Sequence, residues 1–320
     1  MSSTISSSEF DRQFNTKKKI EKDSFIWTIE KFSSCELKKD ERMRSPLFNS
    51  KINETMKWRL DMYPKGDYNV NEDYISLWLI LENIDCIELT VLCSFYVLGE
   101  NGEKKYRKVM NIKRFCEINK LCVCHQFLEF DLLHNDDKKL LSNDNLILGC
   151  EIFYYCGPIS TISPSTNNNT NDSMNLLLLY HQKFFHSILA EKQYELIPNI
   201  IEINGFSPDV VEEMTNYLYT GKSPNMDEIA CEMLEIGEKY GLERLKLMAE
   251  ESLLYNLSTE NACNYLICSE LYSGEILKEW CLRFIYLNAE NIVNTEEWKE
   301  VVSNYPLLIA KLFNIAVNID

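Results

Sequence analysis

The stretch NYLYTGKS, residues 216–223, ends in the Gly-Lys-Ser of a phosphate-binding loop. Such a loop needs G-x-x-x-x-G-K-[ST], with the first glycine turning a strand into a loop whose backbone N–H groups face the phosphates. Here that first position is Asn216. The order of elements is also reversed. In SPDVVEEMTNYLYTGK, Ser207 suits a helix cap and Pro208 the first turn, while Val210, Met214, Tyr217 and Leu218 recur on one helical face. Gly221 then reads as a helix stop, and phosphate chemistry is set aside. Cys116, Cys122, Cys124 and His125 are the right types for zinc, but C-x-x-C spacing is absent, and a strand turns Cys122 and Cys124 to one side and His125 to the other. The same geometry parts Cys124 and His125 as nucleophile and base. His134 falls in a polar turn, and His181 and His186 on a helix where surface placement is commoner than catalysis. The expectation is no metal, no cofactor and no intrinsic catalysis.

These residues belong to a chain of 320 residues, 45% hydrophobic and 26% charged, long enough for two domains each with its own core. A net charge of −16 argues against nucleic acid and anionic membranes, both of which are bound through clustered Lys and Arg. The run Lys17–Lys19 is too short to reverse that. MSSTISSSEFDRQFN has no apolar core for a signal peptide, and no later stretch reaches the length that spans a bilayer, so an intracellular protein is expected. In that compartment the twelve cysteines are expected as thiols and the sequons at Asn168 and Asn171 as unread.

The elements change period midway. From Phe25 to Tyr155 the pattern alternates: FIWTIEKF puts Phe25, Trp27 and Ile29 on one face, and MKWRLDM turns Met56, Trp58, Leu60 and Met62 inward with Lys57, Arg59 and Asp61 outward. YPKGD at 63–67 and GENGEK at 99–104 supply turns, and an antiparallel sandwich of two sheets is predicted. CGPISTISPSTNNNTNDSM, 156–174, is too polar to pack and reads as a linker. Beyond it the period is helical. MDEIACEMLEIGEKYG stops at Gly241, Ser258 suits the cap of the helix in LSTENACNYLICSELY, and helices follow at 275–288, 295–303 and 306–316. Only IIEING, 200–205, reads as a strand in this half.

With that layout, SPDVVEEMTNYLYTGKSPN, KYGLERLKLMAEESL and LSTENACNYLICSELY resemble the BTB/POZ domain of the speckle-type POZ protein family, from Ile200 to about Phe313. FIWTIEKFS, MKWRLDMYPKG, DYISLWLIL and LILGCEI resemble the MATH (TRAF-like) domain that precedes it in that family. The resemblance implies a multidomain chain: a terminal segment 1–20, a MATH sandwich over 21–156, a linker over 157–174, a partial, mainly helical BTB/POZ domain over 175–256 and a helical extension over 257–320. It further implies an adaptor, whose MATH domain holds a short peptide of a protein substrate and whose BTB domain and following helices dock on the cullin scaffold of a RING ubiquitin ligase. A protein-binding module that no longer recruits ligase is the alternative.

The departures are specific. NLLLLYHQKFFHSILAE resembles only the later BTB helices, so most of the strand and helix that form the family's homodimer is missing, and self-association is expected to be weak unless a partner BTB chain supplies that surface. In the peptide groove the family's arginine aligns with Asp61, its tyrosine with Trp78, another aromatic with Cys93 and a second tyrosine with Lys113. Its Lys-Asp-Trp-Gly-Phe stretch becomes Lys120-Leu121-Cys122-Val123. Lost hydrogen-bonding groups remove discrimination more than bulk affinity, so a different peptide class is expected, with Asp61 putting an anion where the family has a cation. On the cullin side the resemblance points to Tyr194 and Glu195 in one loop, to Tyr219, Lys222, Pro224 and Asn225 at the helix end and turn, and to Leu266, Leu271 and Tyr272 in a later helix, where a stacking core is equally open on pattern. KLFNIAVNID lacks the family's basic nuclear tail, so cytoplasm, alone or with the nucleus, is the expected location.

Overall fold

Strict alternation of apolar and polar residues buries one face of each strand, and two such sheets close on each other. The computed structural model describes residues 20–35, 38–51, 54–68, 72–83, 88–134, 139–156 and 203–319. One sheet has the order β1 (Glu21–Ile29), β11 (Asn145–Cys156), β6 (Leu89–Leu98), β7 (Lys104–Val109), with β10 (Leu141–Ser142) on β11 and β8 (Lys113–Phe115) on β6. The other runs β2 (Met43–Arg44), β4 (Lys57–Tyr63), β5 (Tyr74–Asn83), β9 (Leu121–Glu129), with β3 (Phe48–Asn49) on β4. All pairings are antiparallel. Met56, Trp58, Leu60 and Met62 are fully buried between the sheets, as their period demands, and Trp58 meets Phe115 edge-on at 5.6 Å. Each such side chain contributes about 1.5–3 kcal/mol by leaving water. The turn glycines Gly66 and Gly102, at φ 71° and 78°, supply the left-handed backbone the hairpins need.

The helical half runs α1 (Pro208–Thr220), α2 (Ala230–Lys239), α3 (Glu243–Tyr255), α4 (Ala262–Leu271), α5 (Glu275–Leu287), α6 (Ala289–Ile292), α7 (Glu296–Asn304) and α8 (Pro306–Ile319). Ser207 caps α1 by accepting from Val210 N–H, Pro208 opens the first turn, and Gly221 ends it at φ 69°. Gly241 closes α2 at φ 65°. Antiparallel neighbours form because the loops are short: α2 packs on α3 and α4 on α5, with Trp280 fully buried.

Three expectations are corrected. Asp61 does face away from the inter-sheet core, yet it is fully buried, because arginines from β2, β4 and the residue before β2 close over it. Ser258 does not cap α4; its N–H donates to Asn261 Oδ1 at 2.8 Å, and the helix starts after that turn. Residues 200–202 lie outside the described residues, and Ile203–Gly205 carry no strand. The two halves touch: Leu92, Ile112 and Phe153, on the outer side of the first sheet, share a buried apolar cluster with the helices. Thr90 Oγ1 lies 3.3 Å from the Tyr255 hydroxyl, and Arg114 pairs with Glu251 at 3.6 Å.

Candidate functional site

The register of the second sheet sets its outer face. Arg44 on β2 stands opposite Asp61 on β4, Asp61 opposite Trp78 on β5, and Trp78 opposite Val123 on β9. Four strands therefore place these side chains in one row. The neighbouring row runs Arg59, Ile80, Leu121. Three of the expected groove residues, Asp61, Trp78 and Val123, are brought together in this way, with exposed Leu121 and the half-buried Lys120 at the edge. Lys120 enters through its carbonyl, which accepts from Leu81 N–H at 3.0 Å.

Trp78 and Tyr63 are buried without belonging to the inter-sheet core. They pack on each other at 5.2 Å between ring centroids, and exposed Tyr68 meets Trp78 edge-on at 5.8 Å, so the outer face carries an aromatic cluster of its own. Beneath it the indole N–H of Trp78 donates to Asp67 Oδ2 at 2.8 Å, and His125 Nδ1 lies 2.8 Å from the same oxygen. Asp67 is fully buried while the His125 ring is partly exposed. That carboxylate fixes both rings, and the imidazole edge is left at the surface beside the tryptophan.

Asp61 is enclosed by Arg59 at 2.9 Å, Arg42 at 3.1 Å and Arg44 at 3.8 Å. Arg42 also donates to the Tyr63 hydroxyl at 3.4 Å, and Arg59 pairs with Glu82 at 2.5 Å. The surface at this end is thus made by guanidinium groups rather than by the carboxylate. The expectation of an exposed anion is corrected. Cys93 is corrected too: it points between the sheets, where its thiol lies 3.3 Å from Cys122 Sγ. The hydrogen bond to Cys122 and burial together push its pKa well above the ordinary thiol value. Lys113 stands on β8 of the other sheet, opposite Val91, and does not share the Trp78 face.

Sequence reasoning missed Arg42, Arg44, Tyr63, Asp67, Tyr68 and His125. The signals were the i, i+2 arginines in ERMRSP and the two tyrosines around the turn in DMYPKGDY. Among the described residues no cluster of His, Cys, Asp or Glu forms a metal site, and no helix is long and apolar enough to cross a membrane.

On the helical half, Tyr194 and Glu195 lie outside the described residues. The turn after α1 borders a cleft of about 780 Å³ lined by Asn216, Thr220, Gly221, Lys222, Ser223, Pro224 and Met248. Buried Glu213 holds that turn, accepting from Ser223 Oγ at 2.7 Å, Asn225 N–H at 3.1 Å and Asn225 Nδ2 at 3.2 Å. Tyr219 projects beside it, exposed. No phosphate cradle is formed, because Gly221 ends a helix instead of opening one. Leu266 is fully buried in the helical core, which agrees with the stacking reading of the two left open for this helix, whereas Leu271 is exposed. Tyr272 is half-buried, and burial with a hydrogen bond to Glu235 pushes its pKa up to about 12.

An antiparallel sandwich with a recessed aromatic face, followed by stacked short helices, is the build of a protein-interaction chain of the MATH–BTB class. Residues 24–152 match the family model of the MATH domain, and residues 172–257 that of the BTB/POZ domain. "TD and POZ domain-containing protein 1" of Mus musculus is 31% identical over 339 aligned residues, covering 95% of this chain and 93% of its own. "TD and POZ domain-containing protein 1-like" of the same organism is 30% identical with the same coverage. The chain belongs to the family of these TD and POZ domain-containing proteins. Among solved structures, Notothenia coriiceps TRAF5 is similar at 14% identity and a TM-score of 0.29, over 40% of this chain and 72% of that one. Both modules serve protein–protein interaction, and the architecture is generally that of adaptors rather than enzymes. The 339 aligned positions exceed the 320 residues present, so the mouse relative carries residues with no counterpart here.

Proposed function

We propose that this chain is a substrate-recognition adaptor of a cullin-RING ubiquitin ligase, with no catalysis of its own, acting in the cytoplasm, the nucleus or both. In this reading the outer face of the second sheet holds an extended peptide of a protein substrate, and the helical half meets the cullin. The observation that carries it is the Trp78 row: an aromatic cluster lies recessed on a sheet face, with exposed Tyr68 and Leu121 beside it, in a chain whose family joins MATH to BTB/POZ. A recessed aromatic bordered by polar groups is what an anchoring side chain of a ligand needs. The turn at Lys222, Pro224 and Asn225, exposed Tyr219 and the adjoining cleft support a partner surface on the helical half.

Calorimetry of the full chain against a cullin N-terminal domain tests the ligase half. Micromolar or tighter binding is expected, lost when Tyr194→Ala and Glu195→Ala are combined. A folded chain that shows no binding favours a protein-binding module that does not recruit ligase. That second reading draws on one observation, the relative's residues that have no counterpart here.

A further inference from the structure

We infer that the Trp78 face selects peptides carrying an acidic side chain, with Arg42, Arg44 and Arg59 as the subsite that receives it. The inference rests on the proposed reading of this face as a peptide groove. Three guanidiniums converge on one carboxylate, Asp61, and one of the three is also paired with Glu82. Three cations against two carboxylates leave positive charge in excess, in a chain whose net charge is −16. Donor capacity is in excess as well. Each guanidinium has five N–H donors in a planar fork, and a carboxylate has two oxygens to receive them. Asp61 is fully buried and, among the described residues, its Oδ2 accepts no hydrogen bond, so the donors of Arg42 and Arg44 are not taken up by it. The side chains of Arg42 and Arg44 are 35% and 51% exposed, which leaves them accessible to a ligand.

Asp61 thus has a second role. It cancels part of the repulsion among the arginines and takes one hydrogen bond, from Arg59 Nε to Oδ1 at 2.9 Å, so a second carboxylate arriving from solvent meets guanidiniums already gathered at one place. The same packing locates the subsite relative to the aromatic anchor. Arg44 and Trp78 lie in one row, separated by β4. Two strand spacings are about 9.5 Å, and an extended peptide advances about 3.3 Å per residue. Alternate side chains of an extended peptide share a face, so the favoured ligand has Asp or Glu two or four residues from a large apolar residue seated on Trp78 and Tyr68, and the long arginine side chains span the difference from about 9.5 Å.

The test is selection of a random dodecapeptide phage library on the immobilised full chain, at low and at moderate salt, followed by anisotropy with the consensus peptide synthesised. The expected consensus pairs an apolar residue with Asp or Glu at that spacing, and changing the acid to its amide weakens binding at least about fivefold. Arg44→Ala is expected to lose the acidic preference and keep the apolar one, and Arg44→Glu to select against acids. Arg44 is chosen because Arg42 and Arg59 still hold Asp61 in both variants, which leaves the fold intact. A consensus that Trp78→Ala abolishes but that shows no Asp or Glu enrichment overturns the acidic subsite and leaves the groove standing. Selection of no peptide that depends on Trp78 overturns the groove itself, and the subsite with it.

Discussion

Glu151 on β11 shows how a single carboxylate is held in the first sheet. It is buried, and Lys22 lies at 2.9 Å, Lys104 at 3.0 Å and Arg107 at 3.2 Å. Burial pushes its pKa up, but hydrogen bonds and charge from Lys22, Lys104 and Arg107 outweigh that and hold it below the usual glutamate value. A carboxyl depressed in the folded state stabilises the fold above its unfolded pKa, about 4.3, and that contribution is lost as pH falls through the lower folded value. Glu151→Gln is therefore expected to cost about 2 kcal/mol at pH 7 and progressively less below pH 4, measured by urea unfolding across that range. Two residues away on the same face, Gly149 lies under Tyr96: a Cβ there would collide with the ring. Overpacking of this kind costs about 1–3 kcal/mol, so Gly149→Ala should destabilise, and much less in a Tyr96→Ala background, where the obstacle is gone. The inward set of β4 was legible in the sequence because strand periodicity is a local property. The environment of Asp61 was not, because Arg42 and Arg44 come from beside and within a two-residue strand that no periodicity announces. Cys93 was misplaced for a different reason. Its place in the groove rested on the resemblance alone, whereas its parity with Leu89, Val91, Phe95 and Val97 on β6 turns it toward the other sheet.

At the level of elements, local chemistry fixed what could be read. Ser207, Pro208 and Gly221 delimit α1 because a cap, a first-turn proline and a left-handed stop are properties of a few adjacent residues. The turn that follows is different. Its shape depends on Glu213, several residues back on α1, reaching Ser223 and Asn225. Removing a buried charged acceptor strands its donors, so Glu213→Ala is expected to cost about 1–3 kcal/mol and to raise amide exchange at 223–225 while α1 stays protected near its Ser207 end. Loss of protection confined to the Ser207 end of the helix would show that the carboxylate does not hold the turn. The α4 contact set contained its own contradiction. Leu266 and Leu271 are five residues apart, about 140° around a helix, so they cannot share a face, and the structure buries the first while exposing the second. Ile267 lies four residues before Leu271 and shares its side of the helix instead.

Across the whole molecule, the question is whether sandwich and helices behave as one unit or two. A protein built as independent modules would bury nothing large between them, yet Leu92 and Phe153, paired across β6 and β11, and Ile112 between β7 and β8 lie in the same apolar cluster as the helical core. Polar contacts flank that seam at Thr90 with Tyr255 and at Arg114 with Glu251. The magnitudes separate the two kinds of contact. The Arg114 side chain is partly exposed and also engages Glu88, so Arg114→Ala is expected to change stability by less than about 1 kcal/mol. Phe153 is fully buried, and truncating a buried aromatic costs about 3 kcal/mol or more in a well-packed core. Phe153→Ala is therefore expected to lower hydrogen-exchange protection in α3 together with that in β6 and β11, under conditions in which Arg114→Ala leaves all three unchanged. Loss of protection confined to the strands would mean that the helices do not draw stability from the sandwich. Coupled loss would mean that the peptide face and the helical partner surface are carried on one cooperative body, with the outer side of the first sheet serving as a wall of the helical core.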